Sequence, residues 1–230
     1  MSRRLLASLL SGNDDHVAAL AAEAFTDCRD AQHPPVVSVC CSDSRVPQEG
    51  MFTASGPGFL FTAGNIGNRV RDRVDGEAVL DGSVAYPLAH ADTEVVAVVG
   101  HTGCGAVGAA MMAAQEGTYP AEPGVRADVA ELVPIVEEGL EHPAVNIKDG
   151  ATSAHNQLVE YNVHKQVSFT LDSDEAADAD VYGFVYDFHR AYGERDGAVY
   201  LVNGNGERDP EVLRELVDDE QEDHVKTLLA

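Results

Sequence analysis

Apolar residues fall along this chain in two patterns: short unbroken runs rich in valine, and longer stretches in which they recur every third or fourth position. The first marks strands buried on both faces, the second helices with one buried stripe. Runs at residues 36–40 (VVSVC, opened by Pro34 and Pro35), 59–62, 95–99 (VVAVV), 181–187 (VYGFVYD) and 199–203 predict strands, the last two joined by a turn around residues 193–197. Residues 78–90, 106–116, 128–140 (kinked at Pro134) and 153–169 predict helices, and residues 211–230 predict a closing acidic helix. Near the start, Asn13, Asp14 and Asp15 precede Val17, Leu20, Ala21, Ala24 and Phe25, which predicts a capped amphipathic helix with its acids at the favourable end of the dipole.

Strands alternating with helices predict an α/β fold with a mainly parallel central β-sheet, its faces covered by helices. A length of 230 residues suits one domain. Its expected parts are an N-terminal helical segment (residues 1–33), a core (34–204) and a C-terminal helix (205–230).

In such sheets ligands bind beyond the carboxyl ends of the strands. The first strand runs into Cys41, Ser42, Asp43, Ser44 and Arg45, and the VVAVV strand into Gly100, His101, Thr102, Gly103, Cys104 and Gly105. If the two strands are neighbours, Cys41, His101 and Cys104 come within reach of one ion. Two thiolates and an imidazole suit Zn²⁺, and three protein ligands leave the open fourth position of a catalytic site. Four cysteines (Cys28, Cys40, Cys41, Cys104) in a chain of this size are reduced thiols or ligands rather than a disulfide framework. Cys40 should point away from Cys41, because strand side chains alternate. Asp43 and Arg45 stand two apart, so the guanidinium can orient the carboxylate and lower its pKa. Of the eight other histidines, seven (His16, His33, His90, His142, His155, His164, His189) lack ligand spacing and read as surface or packing residues.

Two other chemistries fit less well. Residues 103–108 match G-x-G-x-x-G between a strand and a helix, but a dinucleotide site needs a second strand ending in an acid about twenty residues on, where residues 117–128 read as a loop. A cysteine phosphatase loop fails on the spacing from Cys40 or Cys41 to Arg45.

Charge narrows the partners. Fifteen Lys and Arg stand against 39 Asp and Glu, a formal charge of −24, which repels nucleic acid and anionic membrane surfaces. Self-repulsion on this scale is screened in concentrated salt, where the Debye length falls to ~3 Å at 1 M. The composition therefore fits the cytoplasm of a halophile. Residues 1–10 (MSRRLLASLL) imitate a signal peptide, but the apolar run is only six residues long, contains Ser8 and meets polar residues 11–15. A cytoplasmic location is expected, and no stretch approaches the ~20 apolar residues of a membrane span.

The motifs resemble those of the β-class carbonic anhydrases over roughly residues 36–204: CSDSRV at 41–46, GNIGN at 64–68, GSVAYPL at 82–88, VVAVVGHTGCGAV at 95–107, YNVHKQV at 161–167 and VYGFVYD at 181–187. The resemblance implies Cys41, His101 and Cys104 as ligands of one Zn²⁺ per chain and Asp43 with Arg45 as a catalytic dyad. It implies reversible hydration of carbon dioxide to bicarbonate and a proton by zinc-bound hydroxide, with the Gly105 N–H at a helix start placed to bind bicarbonate. It also implies a homodimer or dimer of dimers with an N-terminal helical arm embracing the partner. Gly64 departs from the pattern, standing where many members have Arg, and the chain lacks Trp altogether. The alternatives are a zinc-dependent carbon disulfide or carbonyl sulfide hydrolase and a non-catalytic zinc- or bicarbonate-binding protein.

Overall fold

A computed structural model describes residues 2–52, 56–146 and 154–229. The valine-rich runs become β1 (Val36–Cys41), β2 (Leu60–Asn65), β5 (Val95–His101), β6 (Asp180–Asp187) and β7 (Ala198–Gly204) of one five-stranded sheet, ordered β2-β1-β5-β6-β7. All pairings are parallel except β6 with β7, which run antiparallel. In β1 and β5 nearly every residue is buried, which is why they read as continuous apolar runs rather than as alternation.

Strands β3 (Arg71–Val74) and β4 (Glu77–Leu80) form a separate antiparallel hairpin. Its turn is Asp75-Gly76, with φ of 52° and 88°, the left-handed pair that a tight hairpin needs. The expected helix over 78–90 is thereby corrected: α3 (Gly82–His90) begins only after Asp81, whose carboxylate accepts the Ser83 N–H at 2.7 Å.

Helices α4 (Gly105–Glu116), α5 (Pro123–Glu141) and α6 (Ala154–Leu171) pack with α3 on one face of the sheet. Helix α5 starts earlier than expected because Pro123 occupies its first turn, where a missing N–H costs nothing. After α4 the chain enters α5 and then α6 before the next strand, β6, so no strand ends in an acid about twenty residues past the glycines, and the dinucleotide reading falls. The other face carries a thinner apolar layer of Cys40, Val46, Ala97 and Val99, with Phe52 and Phe184 packed against it, and among the described residues it meets α2 (Gln48–Met51) and the C-terminal segment. An apolar cavity of about 470 Å³, lined by Met51, Phe52, Tyr182, Phe184, Leu201 and Leu216 among others, opens there. The expected mainly parallel sheet flanked by helices is what the chain forms, with its longer helices gathered on one face.

Both ends of the chain differ from expectation. Helix α1 spans Ser2–Ala19, so the leucine run is helical and Asn13 lies inside it rather than capping it. Leu5, Leu6, Leu9 and Leu10 are all more than half exposed. The C-terminal helix is reduced to α7 (Pro210–Arg214) and a 3₁₀ turn at Asp219–His224. Beyond it Val225 bridges to Leu201, and Leu228 and Leu229 pack on the main core. Buried Glu160 draws the segment in: it accepts the Leu228 N–H at 2.8 Å, the Tyr192 hydroxyl at 2.6 Å and the Thr227 hydroxyl. A continuous helix could not make these contacts.

Candidate metal centre

The carboxyl ends of β1, β5 and β6 are consecutive neighbours in the sheet, and the site is built on them. Cys41 closes β1, His101 closes β5, and Cys104 immediately precedes α4. Between the last two, Gly103 turns the chain at φ +67°, a left-handed conformation that a side chain would strain. The result brings the ligand atoms of Cys41, His101 and Cys104 within 4.8 Å of one another, all three residues buried.

The donor set suits a cation. Nδ1 of His101 lies 3.1 Å from the Thr102 carbonyl and carries its proton toward it, leaving Nε2 as the free donor. That Nε2 is buried and without a hydrogen-bond partner among the described residues, a costly state for a polar atom with no ion to meet. The Cys104 thiol donates to the Cys41 sulfur across 3.9 Å. This bond holds the Cys41 thiol well below its ordinary value, while the same bond, with burial, pushes Cys104 up. The pair thus parts readily with one proton and holds the other between two sulfurs. Amides at the start of α4, those of Ala106 and Val107, favour a thiolate on Cys104, as the Gly67 amide does on Cys41.

Asp43 and Arg45 lie just past β1. Nε of Arg45 donates to Asp43 Oδ1 at 2.9 Å and Nη2 to Oδ2 at 2.7 Å, and the Arg45 backbone N–H adds a third bond to Oδ1 at 2.9 Å. The guanidinium fork holds the Asp43 carboxyl well below the usual carboxylate range. Asp43 Oδ2 stands 3.9 Å from His101 Nε2, at the edge of the ligand cluster. Gly105 is the first residue of α4; it is exposed, and no side chain caps the helix there.

Several residues of the site carried no motif. His155 Nε2 lies 2.7 Å from the Cys104 carbonyl, and Asn156 Oδ1 accepts the Gly103 N–H at 2.9 Å, so the start of α6 clamps the ligand loop. Phe188, the residue after β6, stacks on the His101 ring at 5.7 Å and lies under the Arg45 guanidinium at 4.5 Å. His189 follows it, over Gly103. The strand-end rule that pointed to Cys41 and His101 would have reached Phe188 and His189. No sequence signal tells which helix start meets Cys104.

A parallel sheet whose strand ends gather two cysteines and a histidine beside an Asp–Arg pair defines a class, and the comparisons agree. The carbonic anhydrase family model matches residues 36–192, and the chain belongs to that family, in its β class. It is 31% identical to a carbonic anhydrase of Pseudomonas aeruginosa over 166 residues, 71% of this chain and 73% of that protein. A carbonic anhydrase of Helicobacter pylori is 30% identical over 123 residues, 53% of this chain and 55% of that one, so the match spans about half the length of that relative. In fold, the chain is similar to a tetrameric β-carbonic anhydrase of the filamentous ascomycete Sordaria macrospora (TM-score 0.69, 19% identity, 87% of this chain and 98% of that one).

Proposed function

We propose that this protein is a carbonate dehydratase, catalysing CO₂ + H₂O ⇌ HCO₃⁻ + H⁺ with one Zn²⁺ held by Cys41, His101 and Cys104. The observation that carries the reading is the buried Cys41, His101 and Cys104 cluster with the Asp43 carboxylate, gripped by Arg45, at its edge. Zinc bound by two thiolates and one imidazole supplies Lewis acidity that makes water a nucleophile near neutral pH. The chain's own residues do the rest. Asp43, kept ionised by Arg45, accepts a hydrogen bond from the attacking water and so orients its lone pair toward the substrate carbon. The Gly105 N–H, at the positive end of the α4 dipole, receives the bicarbonate anion. Thr102, through its carbonyl, keeps His101 in the ligating tautomer.

The functional unit is a homodimer or a pair of them. The unpartnered leucines of α1 and the thinly covered second sheet face support this, as does the tetrameric assembly of the Sordaria relative. The charge of −24 supports a cytoplasm rich in salt. No helix among the described residues is long and apolar enough to cross a membrane.

Stopped-flow CO₂ hydration by zinc-replete protein in high salt tests the activity, with Asp43→Ala alongside. Hydration no faster than buffer alone across neutral and mildly alkaline pH would overturn it.

A further inference from the structure

Two fully buried carboxylates, those of Asp187 and Glu160, stand on a line of hydrogen bonds that runs from the metal centre to the C-terminal segment. We propose that Thr227 and Leu228 are a latch on that centre: docked on Glu160, they fix the orientation of His101 through Tyr192, Asp187 and Thr102, so the zinc is held more tightly than in the same chain with its tail undocked. The inference goes beyond the hydratase reading and rests on its zinc site alone.

The line can be followed atom by atom from the ligand outward. Nδ1 of His101 donates to the Thr102 carbonyl at 3.1 Å. Thr102 is itself fixed twice: its backbone N–H donates to the Tyr186 carbonyl at 3.0 Å, and its hydroxyl to Asp187 Oδ1 at 3.2 Å. The other oxygen of Asp187, Oδ2, accepts the Tyr192 backbone N–H at 2.8 Å. Tyr192 then reaches the second carboxylate, its hydroxyl donating to Glu160 Oε2 at 2.6 Å. That same oxygen accepts the Leu228 N–H at 2.8 Å, while Oε1 accepts the Thr227 hydroxyl. Tyr192 thus bonds to both carboxylates, to one with its backbone and to the other with its ring. The ring is buried and stacked on Tyr200, centroids 5.1 Å apart, so it passes a displacement on rather than absorbing it.

The surroundings make the line stiff. Among the described residues the Lys and Arg ion pairs go to other acids, and none reaches Asp187 or Glu160. Both carboxylates therefore depend on uncharged donors, and each donor lost leaves a buried acceptor that the interior cannot solvate. His164 is a further contact. Asn203 takes the Gly206 N–H on its Oδ1 and so turns its amide toward His164 Nδ1, which in the neutral ring leaves the proton on Nε2, 3.5 Å from Glu160 Oε1.

Undocking removes two donors from Glu160 at once and uncovers the core beneath Leu228 and Leu229. Water then competes for Glu160, the bond from Tyr192 loosens, and Asp187 no longer holds the Thr102 hydroxyl in one place. The tail, near the end of the chain where local opening costs least, is the element with two states, and His101 feels both. Linkage requires the reverse effect as well: zinc, by favouring the ordered Thr102, favours the docked tail.

The test follows transfer of zinc from loaded protein to a chromogenic chelator at neutral pH. It compares native protein, Thr227→Val, a chain ending at Lys226, Tyr192→Phe, and Tyr192→Phe ending at Lys226. Ending the native chain at Lys226 is expected to speed zinc loss about tenfold, and Thr227→Val, which keeps the full chain, to move the rate the same way by a smaller factor. Tyr192→Phe cuts the line between the carboxylates but leaves the tail its own two bonds to Glu160. Shortening the tail in that background should therefore change the rate by less than about twofold. A merely structural tail would speed zinc loss by the same factor in both backgrounds, and that result overturns the proposal. The reciprocal measurement needs no shortened chain: carboxypeptidase should trim zinc-loaded native protein more slowly than zinc-free protein, with the difference shrinking in Tyr192→Phe. Trimming at one rate with and without zinc overturns the proposal too. If native protein takes up no zinc, the zinc-site reading fails and this inference with it, whereas a zinc site indifferent to the tail sinks the inference alone.

Discussion

Cys40 and Cys41 are neighbours in the chain and lie on opposite faces of the sheet. Cys40 is fully buried among Val46, Ala97 and Val99, where burial pushes its thiol up to about 12. Cys41 faces the helix-covered side, where the bond from Cys104 lowers its thiol to about 4. One packs as a small hydrophobe, and the other belongs to the cluster that could hold the proposed zinc. Cys40→Ala is therefore expected to keep full zinc content at a cost of about 1 kcal/mol in stability, while Cys41→Ala loses the metal. Metal analysis by mass spectrometry and denaturant unfolding of both variants check this.

The two-point grip of Arg45 on Asp43 predicts a pH effect. A carboxylate whose pKa is depressed stays ionised as pH falls through the usual carboxylate range, so Asp43 should add no acid limb between pH 5 and 8 in the native protein. Arg45→Ala removes the depressing charge, the Asp43 pKa rises, and activity should begin to fall at a higher pH than in the native protein. Arg45→Lys keeps a charge but not the fork and should recover only part of the loss. Asp43→Ala is expected to cost about 10²-fold in kcat with zinc retained. Profiles of kcat against pH for the four proteins decide it.

The C-terminal segment is held by Glu160. Replacing that carboxylate with alanine leaves the Tyr192 hydroxyl and the Leu228 N–H without their acceptor. A loss of about 3 kcal/mol is expected for Glu160→Ala and about 1 kcal/mol for Thr227→Val. Cleavage by carboxypeptidase should accelerate in the first variant, because the tail no longer docks. Equal proteolysis rates in native protein and variant would show that the leucines alone hold the tail.

Helix α1 presents Leu5, Leu6, Leu9 and Leu10 to solvent in the single chain. Changing these four to serine should shift the mass measured by light scattering to that of a smaller assembly. The same variant should express with an unchanged sheet core, since none of the four belongs to it.

A net charge of −24 should make stability rise with salt. The unfolding temperature in concentrated potassium chloride is expected to exceed that in dilute buffer by several degrees. A flat response between the two would remove the halophile reading while leaving the site untouched.

Much of this was legible in the residues. Strands β1 and β5 announce themselves because strands enclosed on both sides have no polar face to show, and Cys41 and His101 stand at their ends. The β3–β4 hairpin shows no apolar run because its residues are mostly exposed, and only the Asp75-Gly76 pair signals its turn. Periodicity misplaces the start of helix α1 because its leucines are exposed among the described residues, and burial is what periodicity usually reports. The closing helix was overestimated because Glu160, far away in sequence, rewards a bent path. Thr102 carries no spacing signal, and His155 and His189 read only as surface or packing residues, for the same kind of reason: their contacts are set by which loop folds against which, and spacing along the chain does not record that.

Three adjacent strands end at the metal centre, and the distance between adjacent strands is set at ~4.8 Å by peptide hydrogen bonds whatever the side chains are. The pocket is thus gauged by the backbone, much as the teeth of a comb are spaced by its spine. A shared fold at a TM-score of 0.69 with 19% identity is compatible with such a gauge.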